Sequence, residues 1–491
     1  MQYSAFSTKA SSILAELFHA GMRRLADDDP VVLGLIYQEY CRQLNTLSLV
    51  AASSVADPSV LLCEGSVFSN ITTEGYPNHR FHGGCEFADP VEELAIDNAK
   101  TAFGARYANV QPHSGSSANE IVLFSMLKPG DRVLGLDLKS GGHLTHGARA
   151  SVSGQYFEAL TYGLDNNCLI DYTQVRDIAL RQRPKIIVCG ASAYPRVIDF
   201  KVFREIADES NALVLADISH IAGIVAGGSH PNPIDHAHFT TMSTYKQLYG
   251  PRGGLILMGR DYDQRLPGKK QTLSEMIQKG VFPLVQGTPN ISQILAKARA
   301  LALAASPEFK RLASRIVADA KALAAEMAAR GYAVVTGGTD NHIVLLDLTR
   351  KKLGGLVAQR ALEDCRVIVN KNLVPGDSKG PSVTSGIRLG TNTVALRGMD
   401  THVMRNCAAV IDKVLSSVEA RGDMEYHLPH PISEVVQSEV AQLCSRYPIP
   451  AYPADSSANS KAETADNSRT AHFPAPEHHD SPPLSAARET S

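Results

Sequence analysis

Short apolar runs alternate with stretches of helical periodicity from about residue 61 to residue 300. Arg132–Leu136, Lys185–Cys189, Ala212–Ala216 and Gly254–Met258 are apolar runs of strand length, which predicts strands buried on both faces. Between them, helical spacing recurs near 89–103, 116–127, 172–182 and 201–209. Such alternation predicts a mostly parallel sheet covered by helices, with reactive groups gathered at the carboxyl ends of the strands. Residues 1–60 read as helical, with Leu14, Leu17, Phe18 and Met22 on one face and Leu35, Tyr37, Cys41 and Leu44 sharing another less cleanly. They are expected to form an N-terminal arm packed on another surface. An alanine-rich helix over 307–330 then leads into strands at Tyr332–Val335 and His342–Leu346, the start of a smaller C-terminal α/β domain over 301–448. The large domain is accordingly placed at 61–300. From 449 to 491 the chain is rich in Ala, Ser, Pro, Asp and His with almost no apolar clustering, and is expected to be disordered.

Composition narrows the class without naming a function. The chain has 491 residues, 44% hydrophobic and 20% charged, as an ordinary globular protein of more than one lobe does. A net charge of -2 gives no electrostatic case for nucleic acid or an anionic membrane. The eight cysteines, at 41, 63, 85, 168, 189, 365, 407 and 444, form no C-x-x-C pair, so free thiols in a reducing compartment are expected. The N-terminus shows no basic region followed by an apolar core, and no run is long enough to span a bilayer. The cytoplasm is the expected location.

Candidate chemistry concentrates on two residues. Asp217 ends an apolar run, and Lys246 precedes the glycine-rich turn Gly250-Pro251-Arg252-Gly253-Gly254. A lysine amine to form a Schiff base, and a carboxylate to keep a pyridinium nitrogen protonated, are what pyridoxal 5'-phosphate requires. Ser114-Gly115-Ser116 opens an apolar helix, where backbone N–H groups and hydroxyls suit a phosphate; the same serines also suit simple N-capping. His143, in Gly141-Gly142-His143-Leu144-Thr145-His146-Gly147, is a candidate to stack on a cofactor ring or, alternatively, an ordinary loop histidine, whereas His146 reads as a loop residue. Two histidines raise the possibility of a metal, but no third ligand is near them in sequence, and no metal is expected. His220 is a candidate for the ring hydroxyl or for orienting Asp217. Arg388, among small residues, suits a bidentate grip on a carboxylate or, equally, a surface ion pair. Glu74, ahead of a glycine turn, reads as an acid–base group or a solvated loop residue.

Longer motifs carry a resemblance. Glu74-Gly75-Tyr76-Pro77, Gly83-Gly84-Cys85-Glu86, Asn109 to Ser116, Gly141 to Gly147, Gly250 to Gly254, Gly337 to His342, Val369-Asn370-Lys371-Asn372 and Thr384 to Gly390 resemble serine hydroxymethyltransferase over about residues 30–448. The resemblance implies an α/β, fold-type-I pyridoxal phosphate transferase that interconverts L-serine and glycine and passes a one-carbon unit to tetrahydrofolate. It further implies a homodimer or homotetramer with sites shared between subunits. By residue, it implies that Lys246 carries the cofactor, Asp217 pairs with the ring nitrogen and His143 stacks on the ring. Ser114, Gly115 and Ser116 would hold the phosphate, and Ser192, His220 and Tyr245 would line the cofactor. Arg388 would bind the substrate carboxylate, Glu74 would act as the acid–base group, and Asn372 would face folate.

Departures from the family pattern cluster around substrate and folate. Where the family reads Leu-Ile-Ala-Ser-Glu-Asn, this chain has Leu49-Val50-Ala51-Ala52-Ser53-Ser54, so Ala52 replaces a carboxylate-binding serine. Thr72 replaces a tyrosine, Tyr-Tyr-Gly-Gly becomes Phe81-His82-Gly83-Gly84, and Tyr245 replaces the histidine before the lysine. A glycine-rich loop becomes Phe282-Pro283-Leu284-Val285-Gln286-Gly287-Thr288-Pro289. Two alternatives therefore stand beside the folate-dependent transferase. One is a folate-independent aldolase or transaldolase acting on a threonine-type donor; the other is a non-catalytic paralogue.

Overall fold

The computed structural model describes residues 7–454. Its centre is a seven-stranded sheet of β1 (Tyr107–Asn109), β2 (Arg132–Leu136), β3 (Glu158–Tyr162), β4 (Ile186–Gly190), β5 (Leu213–Asp217), β6 (Phe239–Ser243) and β7 (Gly254–Met258). Their order is β1-β7-β6-β5-β4-β2-β3. β7 is antiparallel to both of its neighbours, and all the other pairings are parallel. The reversal has a local cause, since the 244–253 turn is shorter than a parallel crossover requires.

Side chains alternate across the sheet, as the strand period demands. Ile187, Cys189, Val214, Ala216, Leu255 and Leu257 join one core with the helices Ala88–Phe103, Phe200–Ser210 and Ile291–Ala304. Ile186, Val188, Leu215, Phe239 and Ile256 face the other core, against the helix Gly115–Met126. Because both faces are covered, these strands read as continuous apolar runs. The expected helices near 89–103, 116–127, 172–182 and 201–209 lie at Ala88–Phe103, Gly115–Met126, Tyr172–Gln182 and Phe200–Ser210.

A second core surrounds a four-stranded antiparallel sheet of β8 (Ala333–Val334), β9 (Ile343–Asp347), β10 (Asn370–Asn372) and β11 (Gly386–Gly390), in the order β8-β9-β11-β10. Leu47 and Leu49, expected in the N-terminal arm, belong to this core, and Leu47–Ser48 pairs in parallel with Val367–Ile368. Ahead of them, Ser7–Asp28 and Pro30–Leu44 are helices, and no residue of the second is buried. Of the tail expected from 449, residues 455–491 lie outside the described residues. Ile449 is buried, and Tyr452 donates to Ala56 O at 2.9 Å. Among the described residues, no helix is long and apolar enough to cross a membrane.

Candidate active site

Strand direction assembles the site. β5 and β6 run in parallel with Asp217 opposite Thr241, so their carboxyl ends share one edge of the sheet. Asp217 closes the first strand, and the 244–253 turn leaves the second. Thr244 pins that turn: its N–H donates to Gly253 O at 3.0 Å, its carbonyl accepts from Gly250 N at 3.0 Å, and its hydroxyl donates to Pro251 O at 2.7 Å. Lys246 is thereby held buried beside Asp217. Burial lowers its ammonium pKa to about 8, Asp217 opposes that shift, and the charges of Arg388 and Arg252 add to it.

Asp217 is the hub of a buried network. Its Oδ2 accepts from Asn119 Nδ2 at 2.8 Å and from His146 Nε2 at 3.0 Å, and its Oδ1 accepts from Ser219 N at 3.0 Å. His146 Nδ1 accepts from the backbone N–H of His143 at 3.4 Å, which leaves the proton on Nε2, facing the carboxylate. Burial alone would raise the Asp217 carboxyl. The hydrogen bonds from His146 and Ser219 and the electrostatic influence of the two imidazoles outweigh it, and the group stays ionised far below the usual range. Asn119 is fixed in turn by Thr241, whose hydroxyl donates to its Oδ1 at 2.5 Å, while its amide also donates to Thr145 Oγ1 at 2.8 Å. Thr145 then donates to His143 Nδ1 at 2.8 Å, fixing the plane of that ring. Burial brings the His143 pKa down to about 4, so it presents a neutral face.

Ser114 caps the helix Gly115–Met126, its hydroxyl accepting from Ser117 N at 3.0 Å. Capping and anion binding are compatible here, because the remaining first-turn N–H groups have no intrahelical acceptor. Gly115 is needed for close packing: a Cβ there would meet Ser243 N at 3.1 Å and Ser219 Oγ at 3.2 Å. Two buried polar atoms at the same strand edge lack a hydrogen-bond partner, Ser243 Oγ and His220 Nδ1. Burial, with Lys246 and Arg388 nearby, holds His220 neutral. His220 stacks on His342, with centroids 5.9 Å apart and planes 18° apart.

Arg388, at the middle of β11, donates through Nη1 to Ser192 O and through Nε to Asn370 Oδ1 at 3.1 Å. It is buried and has no carboxylate partner among the described residues, which corrects the surface ion-pair alternative. Burial lowers its pKa only to about 10, so it remains a cation. Ser192 itself is held by its N–H on Gly141 O at 2.7 Å. Asn372 is half-buried, its amide turned onto Leu373 O at 2.7 Å. Tyr245 lies under the Arg252 guanidinium at 3.9 Å, and its carbonyl accepts from Ser54 Oγ at 2.6 Å. The Glu74 carboxylate faces His82 Nε2 at 3.6 Å, and a Cβ on Gly287 would stand 3.6 Å from it. None of its recorded contacts belongs to the Lys246 group.

Residues 25–411 match the family described as Serine hydroxymethyltransferase, most of the chain. The chain belongs to the serine hydroxymethyltransferase family. Members are fold-type-I, pyridoxal phosphate-dependent transferases, and the strand order and the lysine and aspartate at neighbouring strand ends are consistent with that cofactor. The residues offer a match for each feature of pyridoxal phosphate. Lys246 provides an amine for the aldehyde, Asp217 an anion for the ring nitrogen, and His220 Nδ1 an unused polar atom for the ring oxygen. A helix N-terminus with the unused Ser243 hydroxyl suits the phosphate.

Several residues of this buried cluster were not evident from the sequence of this serine hydroxymethyltransferase family member. His146, read as a loop residue, is a direct partner of Asp217. The expected lack of a third metal-ligating neighbour is also corrected, because ligand atoms of His143, His146 and Asp217 lie within 4.8 Å of one another. The His146–Asp217 hydrogen bond already uses one such atom of each. Asn119, Thr145, Thr241 and Asn370 carried no isolated signal; a polar residue inside an otherwise apolar strand or helix was the available clue.

Proposed function

We propose that the protein cleaves the Cα–Cβ bond of L-serine reversibly, yielding glycine and passing the one-carbon unit to tetrahydrofolate, with pyridoxal phosphate joined to Lys246. The observation that carries this reading is the buried cation Arg388, without a carboxylate partner among the described residues, which reaches from the second sheet to Ser192 O and close enough to Lys246 for its charge to lower the lysine's pKa. Bound pyridoxal phosphate supplies an electron sink for the carbon whose bond is broken.

Arg388 takes the substrate carboxylate in a two-pronged grip, with Asn370 and the Ser192 carbonyl holding the guanidinium plane. Asp217, kept ionised by His146, holds a proton on the ring nitrogen. His143, neutral and oriented by Thr145, would pack against the ring when the cofactor is bound. Ser114, Gly115, Ser116 and Ser243 would take the phosphate, Tyr245 would line the cofactor, and Asn372 would border the substrate side. Glu74 moves the proton of the substrate hydroxyl. That it makes no hydrogen bond or ion pair with the Lys246 group supports a homodimer or tetramer in which it serves the neighbouring subunit's site.

A second reading is favoured by the altered substrate wall. Ala52 presents a methyl group where the family has a hydroxyl, Phe81 is 70% exposed and Leu284 is 60% exposed. These apolar groups suit a folate-independent aldolase or transaldolase that adds a glycine-derived carbanion to a different aldehyde. Glycine formation from L-serine by cofactor-loaded protein, with and without tetrahydrofolate, separates the two. Strong folate dependence supports the transferase. No serine turnover under either condition, alongside cleavage of L-threonine, transfers the assignment to the aldolase reading.

A further inference from the structure

Among the described residues, Lys297 is the most deeply buried lysine or arginine that the reaction above does not use. It sits on the helix Ile291–Ala304 with 1% of its surface exposed. Lysine is almost never buried to this degree without a charged partner. Its ammonium instead donates to three backbone carbonyls: Val110 O at 2.7 Å, Pro112 O at 2.9 Å and Gly254 O at 3.0 Å. Three acceptors match the three donors of the protonated amine. Burial lowers its pKa to about 7 and Glu92 opposes that shift, but Glu92 is already paired with Arg80 and Gln111. The adjoining cavity, of about 500 Å³, adds Arg252 and His113 to its lining and no carboxylate.

The three carbonyls belong to the backbone that builds the anion cup. Val110 and Pro112 lie in the segment that leads into Ser114, and Gly254 N donates to Pro112 O at 2.9 Å. A Cβ on Gly254 would come within 2.2 Å of Ser114 O and 3.1 Å of Gly115 N, so the cup rests directly on this strand end. A Cβ on Gly253 would meet Lys297 Cε at 2.2 Å, so that glycine leaves room for the lysine stem.

We propose that Lys297 is a positioning residue for the cofactor phosphate, tying the cup to the start of β7 and placing beneath it a buried positive charge that the phosphate balances. The inference rests on the phosphate being held at Ser114–Ser116.

The test compares pyridoxal phosphate with pyridoxal, which lacks the phosphate, by titrating the full-length cofactor-free protein and its variants. Lys297→Met is expected to weaken pyridoxal phosphate at least tenfold and pyridoxal less than twofold, and to shift the phosphorus resonance of the bound cofactor. Gly253→Ala, which displaces the lysine without removing its charge, is expected to reduce the same preference and keeps the test open if Lys297→Met does not fold. Equal weakening of both ligands in the folded variants, or no change in either, overturns the proposal. Ser116→Asp separates the two levels of inference. If that variant retains the preference, the cup is misplaced and both assignments fall. If it loses the preference while Lys297→Met and Gly253→Ala retain it, only the role of Lys297 falls.

Discussion

Burial sets the protonation state of Lys246, the proposed nucleophile. With its pKa near 8, the Lys246 amine is protonated below that pH and neutral above it. Only the neutral amine attacks an aldehyde, so cofactor loading of the stripped protein is expected to accelerate about tenfold per pH unit up to pH 8 and then level off. Stopped-flow absorbance measures this, and Lys246→Ala is expected to show no visible band of lysine-bound cofactor. A flat rate between pH 6 and 9 would contradict the assignment. Lys246 and Asp217 were legible because each sits at a punctuation point of the chain, a strand end and a glycine-rich turn. His146 was not, because its partner Asp217 is 71 residues away and only the sheet brings them together.

At the scale of elements, close backbone approaches connect the two cores to the site. β11 carries Arg388 and ends at Gly390, where a Cβ would lie 2.3 Å from Ala51 Cα. Gly390 N donates to Leu49 O at 2.8 Å, and Asn392 Nδ2 donates to Ala51 O at 3.0 Å, so the segment with Ala52 is bound to this strand end. Gly390→Ala is therefore expected to cost about 1–3 kcal/mol of stability by overpacking and to displace the substrate wall. Thermal melting should register the first effect. Spectral titration should show glycine affinity falling by more than cofactor affinity; equal losses would mean that the segment plays no part in amino-acid binding. The strands at Arg132–Leu136 and Gly254–Met258 were readable as apolar runs. β1 and β3 were not, since Tyr-Ala-Asn and Glu-Ala-Leu-Thr-Tyr lack the pattern of a doubly covered strand. β6 escaped for a functional reason: its buried threonines include Thr241, which serves Asn119.

At the scale of the whole molecule, the N-terminal helices present apolar surface that no other described residue covers. Ile13, Leu14, Leu17, Val31, Leu35 and Ile36 are 45–61% exposed. Apolar groups gathered in this way mark an interface, and the family's shared sites make a second copy the fitting occupant. Light scattering is expected to find a dimer or tetramer, and removal of residues 1–28 is expected to weaken the assembly and lower turnover at low protein concentration. A monomeric intact protein with full activity would refute both the interface and the placing of Glu74 at a neighbouring site.

The chain's own pattern determined the class of fold and pointed to the candidate site residues, because apolar periodicity and glycine punctuation are local properties that survive without coordinates. Tertiary structure alone decided which polar groups meet. The direction of β7, the Asp217–His146–Asn119 network, the carboxylate-free burial of Arg388 and the seating of Lys297 beneath the cup all join residues far apart in sequence. Their energies arise from desolvation and from hydrogen-bond geometry, and both exist only once the sheet has brought its strand ends together.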